Sequence, residues 1–193
     1  MASVVISGDT SGAITITAPA VAGTPTLTLP TTTGTILTTA STAVVTQAML
    51  STNVVGNGPA FSAYQSSATT ITNATWTKLT FDTETFDTNS NFASSRFTPT
   101  VAGYYQVSSS WQAGFTASFG GIAFYKNGTV WQYGGFISAT SVGVQAGASA
   151  LIYCNGSTDY IEIYAYQATG SSQNTTTSSS ATTWFSGVLV RSA

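Results

Sequence analysis

Asp159-Tyr160-Ile161-Glu162-Ile163-Tyr164-Ala165-Tyr166-Gln167 alternates with a period of two. In a strand, Ile161, Ile163 and Ala165 line one face, and Tyr160, Glu162, Tyr164 and Tyr166 line the other. The aliphatic face suits the core of a sheet sandwich. A face of three tyrosines is too apolar to leave in water, yet its hydroxyls need wet or polar neighbours. Core packing, a subunit interface and a ligand platform all meet these needs, and the interface is the preferred reading. Tyr104 to Trp111 alternates in the same way, with Tyr105, Val107, Ser109 and Trp111 on one face and Tyr104, Gln106, Ser108 and Ser110 on the other.

Outward from these stretches, further runs carry the same signal. Strands are predicted at Phe61–Gln65, Trp76–Phe81, Tyr104–Trp111, Gly121–Lys126, Thr129–Gly134, Val142–Tyr153, Asp159–Gln167 and Thr183–Arg191. Asn127-Gly128 separates two apolar-rich runs and predicts a tight hairpin. Gly120-Gly121 and Gly134-Gly135 are expected to end strands. Residues 170–180, almost wholly Gly, Ser, Gln, Asn and Thr, read as an exposed loop. Residues 59–193 therefore read as one all-β domain of the sandwich or jelly-roll type.

The N-terminal part differs in composition. Residues 1–50 hold 14 Thr and no aromatic residue; every Trp, Tyr and Phe lies at Phe61 or beyond. Without aromatics this segment buries little area and is not expected to fold as an independent globule. It still shows strand patterns at Val4-Val5-Ile6, Ala13-Ile14-Thr15-Ile16-Thr17 and Thr26-Leu27-Thr28-Leu29, bounded by Pro19, Pro25 and Pro30. Such strands need a partner surface, so Val4, Ile6, Ile14, Ile16, Leu27 and Leu29 are the candidate anchoring residues of an extended β-rich arm. Residues 41–50 suit a short helix. Residues 51–58, with Gly56-Asn57-Gly58-Pro59 at their end, read as a linker.

Charge and residue counts exclude much chemistry. Only 5% of the 193 residues are charged, against about 25% in ordinary soluble domains. There is no His, so no Ser-His-Asp or Cys-His relay exists. One Cys and a few carboxylates make a poor zinc set. Four basic residues cannot track phosphates, so no nucleic-acid partner is expected. No run of about 18 apolar residues indicates a transmembrane helix, and the regular segments of a membrane barrel are missing. No secretory signal is visible, and no cofactor is expected.

The candidate sites are correspondingly few. Asp82 and Glu84 share a face if the strand continues, but as a solvated edge rather than an acid–base pair. Asp87-Thr88-Asn89-Ser90-Asn91 starts like a calcium loop, but Phe92 stands at its sixth position and Thr98 at its twelfth, so it is not an EF-hand. Asn73, Asn127, Asn155 and Asn174 head Asn-x-Ser/Thr triplets that such a composition produces by chance. Cys154 reads as a small buried apolar residue.

Several stretches, in order, resemble the complement globular-head domains found in bacteria and phages. They are Phe61-Ser62-Ala63-Tyr64, Trp76 to Glu84, Phe86-Asp87-Thr88-Asn89, Arg96-Phe97-Thr98-Pro99, and Val101-Ala102-Gly103-Tyr104-Tyr105. Ala123 to Gly128, Asp159 to Gln167 and Phe185-Ser186-Gly187-Val188-Leu189 complete the series. The segment Leu151-Ile152-Tyr153-Cys154-Asn155-Gly156 departs from the family's usual Ala-Gly turn. The resemblance implies a ten-stranded jelly roll shared with tumour necrosis factor, assembled as a homotrimer with aromatic residues around its axis. Tyr160, Tyr164, Tyr166 and Tyr104 are the residues assigned to that interface. It further implies a binding head without catalysis.

Ser3 to Gly12, Leu27-Thr28-Leu29-Pro30 and Gly34-Thr35-Ile36-Leu37 resemble a Thr-rich segment that recurs in phage tail and other virion proteins. The combination implies a virion structural protein made in the bacterial host cytoplasm and carried on the capsid exterior or the tail. A trimeric capsid decoration protein is the first expectation, bound to the major capsid protein. A tail fibre or receptor-binding tip attached to tail proteins is the second, and a free carbohydrate- or protein-binding module is the third. A host-surface glycan is the further ligand class. No membrane partner is expected, and no enzyme.

Overall fold

Period-two sequences with β-branched and aromatic residues form strands, and every element among the described residues is a strand. The computed structural model describes residues 56–116, 118–138, 142–177 and 182–193, together with the backbone of 3–7 and 13–17. The chain divides into two units, Met1–Val44 and Val45–Ala193. In the first, β1 (Ser3–Ser7) pairs antiparallel with β2 (Ala13–Thr17). Val4 stands opposite Ile16 and Ile6 opposite Ile14, so four of the six anchoring residues occupy two register pairs of one hairpin. Leu27, Leu29 and the helix expected at 41–50 lie outside the described residues.

The second unit is a sandwich. One sheet has the order β12 (Gln145–Asn155), β9 (Ala102–Gln112), β15 (Trp184–Ser192), β3 (Ala60–Tyr64) and β6 (Thr83–Asp87). The other runs β11 (Thr129–Ile137), β10 (Gly120–Lys126), β13 (Ile161–Gln167), β8 (Arg96–Phe97) and β7 (Phe92–Ala93), with β5 (Thr77–Lys78) also on β13. A short pair, β4 (Thr70–Ile71) with β14 (Gln173–Asn174), stands beside them. All these strand pairs are antiparallel.

The core lies between the two sheets and follows the alternation. Tyr105, Val107 and Trp111 of β9 point inward, as do Ile161, Ile163 and Ala165 of β13. Phe61 stacks on Phe97 at 4.3 Å between centroids and meets Phe185 edge-on at 4.8 Å. Each such side chain stabilises the fold by about 1.5–3 kcal/mol on full burial. The polar atoms that accompany them are paired: the Tyr105 hydroxyl donates to the Val101 carbonyl at 2.7 Å, and Trp111 Nε1 to the Gly121 carbonyl at 3.1 Å. Among the described residues, no buried side-chain nitrogen or oxygen lacks a partner. This is how a hydroxyl-rich sequence avoids the cost of buried unpaired groups.

The hairpin at Asn127-Gly128 forms as expected, with φ of 53° and 76°, the left-handed pair of a two-residue turn. The segment at Asn155-Gly156 turns by different means from the Ala-Gly turn of the resembled family. Asn155 Oδ1 accepts N–H bonds from Ser157, Thr158 and Asp159, each at 3.0 Å, and Gly156 takes φ +72°.

Other expectations are corrected. Gly134-Gly135 lies inside β11 rather than ending a strand, whereas Gly120-Gly121 stands at the start of β10. A Cβ at Gly134 would collide with that of Ala148, so glycine is needed for close approach of the two sheets. The strand expected over Trp76–Phe81 narrows to β5. The expected loop after Gly170 contains β14 and the buried Thr175, whose hydroxyl donates to Gln65. The described head has thirteen strand segments, five of them only two residues long.

Candidate functional site

Two outward surfaces stand out, one on each sheet. On the five-stranded sheet, register lines residues into rows. Ser149, Ser108, Ser186, Ser62 and Phe86 are consecutive neighbours across five strands. The row below reads Leu151, Gln106, Val188 and Ala60, and the row above reads Gly147, Ser110, Trp184, Tyr64 and Thr83. Tyr153 and Tyr104 follow, with centroids 5.4 Å apart. No charged side chain stands in the three full rows. At one end of the row the polar groups satisfy one another: the Ser108 and Ser149 hydroxyls are 3.0 Å apart, and Gln106 Nε2 donates to Ser149 at 2.7 Å. Leu151 is 55% exposed, Val188 44% and Tyr104 41%. The three rows are thus uncharged, and the row of Tyr153 and Tyr104 continues to the exposed Arg191.

The outward face of the six-stranded sheet is built from aromatic rings. Tyr164 stacks on Tyr125 at 3.8 Å. Tyr160 lies under the Arg96 guanidinium, also at 3.8 Å. Tyr166 meets Trp76 at 5.4 Å and Phe119 at 5.8 Å. Trp76 reaches Tyr133 at 5.4 Å, Tyr133 reaches Phe136 at 6.2 Å, and Phe136 stacks on Phe119 at 5.5 Å. The five rings of Trp76, Tyr133, Phe136, Phe119 and Tyr166 therefore close a circle around a cleft of about 310 Å³.

The four tyrosines assigned to an interface do not share a surface. Tyr164 and Tyr166 line one face of β13, half-buried against rings of their own chain, and Tyr160, just before the strand, lies under Arg96, whereas Tyr104 lies on the other sheet. Sequence reading missed Trp76, Phe119, Tyr133 and Phe136 as members of the aromatic circle. Tyr133 and Phe136 are three apart, which places them on opposite faces of a regular strand. A register shift between Gly121 and Ala123 brings both to the outward face.

Seven charged groups are committed to structure: Lys78, Asp82, Asp87, Arg96, Lys126, Asp159 and Glu162. Glu162 is 3% exposed, with Lys78 Nζ at 2.7 Å and Arg96 Nη2 at 2.8 Å. Burial raises its carboxyl, but hydrogen bonds and charge from both cations outweigh that and hold it below the ordinary range. Asp159 binds Asn127 Nδ2 at 2.8 Å and Lys126 Nζ at 2.9 Å, and both lower its carboxyl. Asp82 accepts the backbone N–H of Ser66 and Ser67 at 2.6 and 2.9 Å; these outweigh its slight burial and lower it too. Asp87 accepts N–H from Phe92 at 2.7 Å and Asn89 at 3.3 Å, closing its loop on itself. Cys154 is fully buried, which pushes its thiol up to about 12. Among the described residues no three His, Cys, Asp or Glu side chains come together.

No protein-family model and no curated protein matches the chain. Solved structures do. The globular domain of a zebrafish complement 1qA protein superposes with a TM-score of 0.54 at 16% identity, covering 70% of this chain and 99% of that one. Murine APRIL gives 0.53 at 11% identity, covering 68% and 98%. Eiger TNF from S. frugiperda gives 0.51 at 8%, covering 70% and 92%. At these identities the likeness is one of fold, and it shows that the chain contains a C1q/TNF-like jelly-roll globular domain.

Proposed function

We propose that this chain is a non-enzymatic structural protein whose jelly-roll head assembles as a homotrimer and whose N-terminal arm fastens it to a larger particle. The observation that carries the assembly is the outward face of the five-stranded sheet. Its serine row, with Leu151 and Val188 beside it, offers identical copies an uncharged surface, with the exposed Arg191 beside Tyr104 left to a wet rim. Of the four tyrosines, Tyr104 belongs to this contact; Tyr160, Tyr164 and Tyr166 already serve contacts within the chain.

The particle we assign is a phage virion, on the resemblance of the Thr-rich N-terminal stretch and the hydroxyl-rich, nearly chargeless composition. In the arm, the hairpin β1–β2 would add its main chain to a neighbouring sheet. Three linked arms would raise the effective concentration of each. The capsid exterior, against the major capsid protein, is the location proposed. Quantifying the chain in purified particles tests it. Hundreds of copies spread over the shell support decoration, a few trimers at the tail point to a fibre tip instead, and absence from particles contradicts the virion reading.

A further inference from the structure

The aromatic circle on the six-stranded sheet has no part in the proposed assembly, and its construction is that of a receptacle. Along β10 the outward positions are Gly121 and Ala123, both fully covered yet both small. The strands on either side carry large rings: Phe136 lies opposite Gly121 and Tyr133 opposite Ala123 on β11, while Tyr166 and Tyr164 lie opposite the same two residues on β13. Small residues between two aromatic walls make a valley. Trp76 bridges its walls, touching Tyr133 and Tyr166 equally at 5.4 Å, and Phe119 closes the other end.

Gly121 lies beneath the rings. A Cβ there would stand 2.7 Å from Phe136 Cδ1 and 3.4 Å from Trp76 Cη2, so any larger residue would push the Phe136 ring out of its place in the circle. The bulge at Gly134-Gly135 is what turns Tyr133 and Phe136 to the same side.

From this geometry we infer that the cleft framed by Trp76, Phe119, Tyr133, Phe136 and Tyr166 is a binding site for a neutral pyranose ring. Three observations select that class. The volume, about 310 Å³, stands at the lower end of small-molecule sites, of about 300–1,000 Å³, and suits one or two sugar rings rather than a protein segment. Three of the five rings carry a polar edge (the indole N–H of Trp76 and the hydroxyls of Tyr133 and Tyr166), so the lining offers apolar faces to ring C–H groups and donors to hydroxyls. No charged residue lines the cleft. Glu162 and Asp159 are already held by cations, and Asp82 and Asp87 by backbone N–H groups. A quaternary ammonium, the other ligand of aromatic cages, would find no carboxylate to reinforce the ring faces.

Titration of the full chain with methyl β-glucopyranoside, methyl β-galactopyranoside and N-acetylglucosamine to about 100 mM tests the site, read by tryptophan fluorescence and saturation-transfer NMR. At least one sugar is expected to saturate. Trp76→Ala should weaken it about tenfold or more, as loss of one stacking ring does. Gly121→Ala should weaken it too, by displacing the Phe136 ring while keeping all five rings in the chain. Both variants should keep the parent's molar mass, which separates this result from the assembly proposal. Absence of saturation for all three sugars, saturation by tetramethylammonium alone, or sugar binding unchanged in Trp76→Ala and Gly121→Ala would overturn the assignment.

Discussion

Ser108 and Ser149 stand directly opposite each other on β9 and β12, their hydroxyls 3.0 Å apart on the outward face of the sheet. Ser186 and Ser62 extend the row across two more strands. Serines pointing outward normally bond to water. Here Ser108 and Ser149 bond sideways to each other, and Gln106 donates to Ser149, which lowers the unmet polarity that this end of the row presents to a partner.

That surface predicts a separable defect. Ser186→Arg sets a guanidinium in the middle of the row, where a second copy would have to desolvate it. The assembly should dissociate. Because Ser186 is half-buried, the head itself should lose about 1 kcal/mol, too little to unfold it. Chemical denaturation and sedimentation on the same sample check both halves.

Glu162 should govern acid stability. Its folded pKa is lowered, so its contribution is complete above the ordinary Glu value of 4.5 and is lost as pH falls through the folded value. Melting temperature should therefore drop as pH falls below 4.5. Glu162→Gln leaves Lys78 and Arg96 facing each other without a counter-charge. Both cations reach solvent, so the cost at pH 7 should be about 2 kcal/mol, below the ~3–5 kcal/mol of a fully buried pair. The variant's melting temperature should also vary less between pH 3 and pH 6. An unchanged pH profile would assign the acid response to Asp159 and the other carboxylates.

Cys154 should be inert in the native state. Burial pushes its thiol up to about 12, so almost no thiolate exists at pH 8. A disulfide reagent should label it only when the head unfolds, at a rate that follows global opening. Fast labelling of folded protein would mean that β12 opens locally.

Trp111→Phe should cost about 2 kcal/mol. It keeps an aromatic ring in the core, removes the donor to the Gly121 carbonyl and leaves a small void. Because Gly121 lies beneath Phe136 and Trp76, the same change should alter the fluorescence of Trp76. Equilibrium unfolding gives the first quantity and emission spectra the second.

The sandwich was legible where strands were long and regular. Alternation in Asp159–Gln167 separated Ile161 and Ile163 from the tyrosines, and Asn127-Gly128 placed a turn without tertiary information. It was illegible where pairing set the geometry. Arg96–Phe97 and Phe92–Ala93 are too short to show a period, yet they complete a sheet. Tyr104 and Tyr164 have the same local pattern, and nothing in it says that they lie on different sheets. Tyr133 and Phe136 share a face only because of a bulge, which a strict period of two conceals.

The central claim is that identical heads assemble through the outward face of β9, β12 and β15. Molar mass by light scattering, on the parent and on Leu151→Glu, tests it most directly. Leu151 is the most exposed large apolar residue of that face. The parent should run at three times the 19.8 kDa chain mass and the variant at a single chain mass with an unchanged melting profile of the head. A monomeric parent, or a Leu151→Glu variant that keeps the parent's mass, would contradict the account.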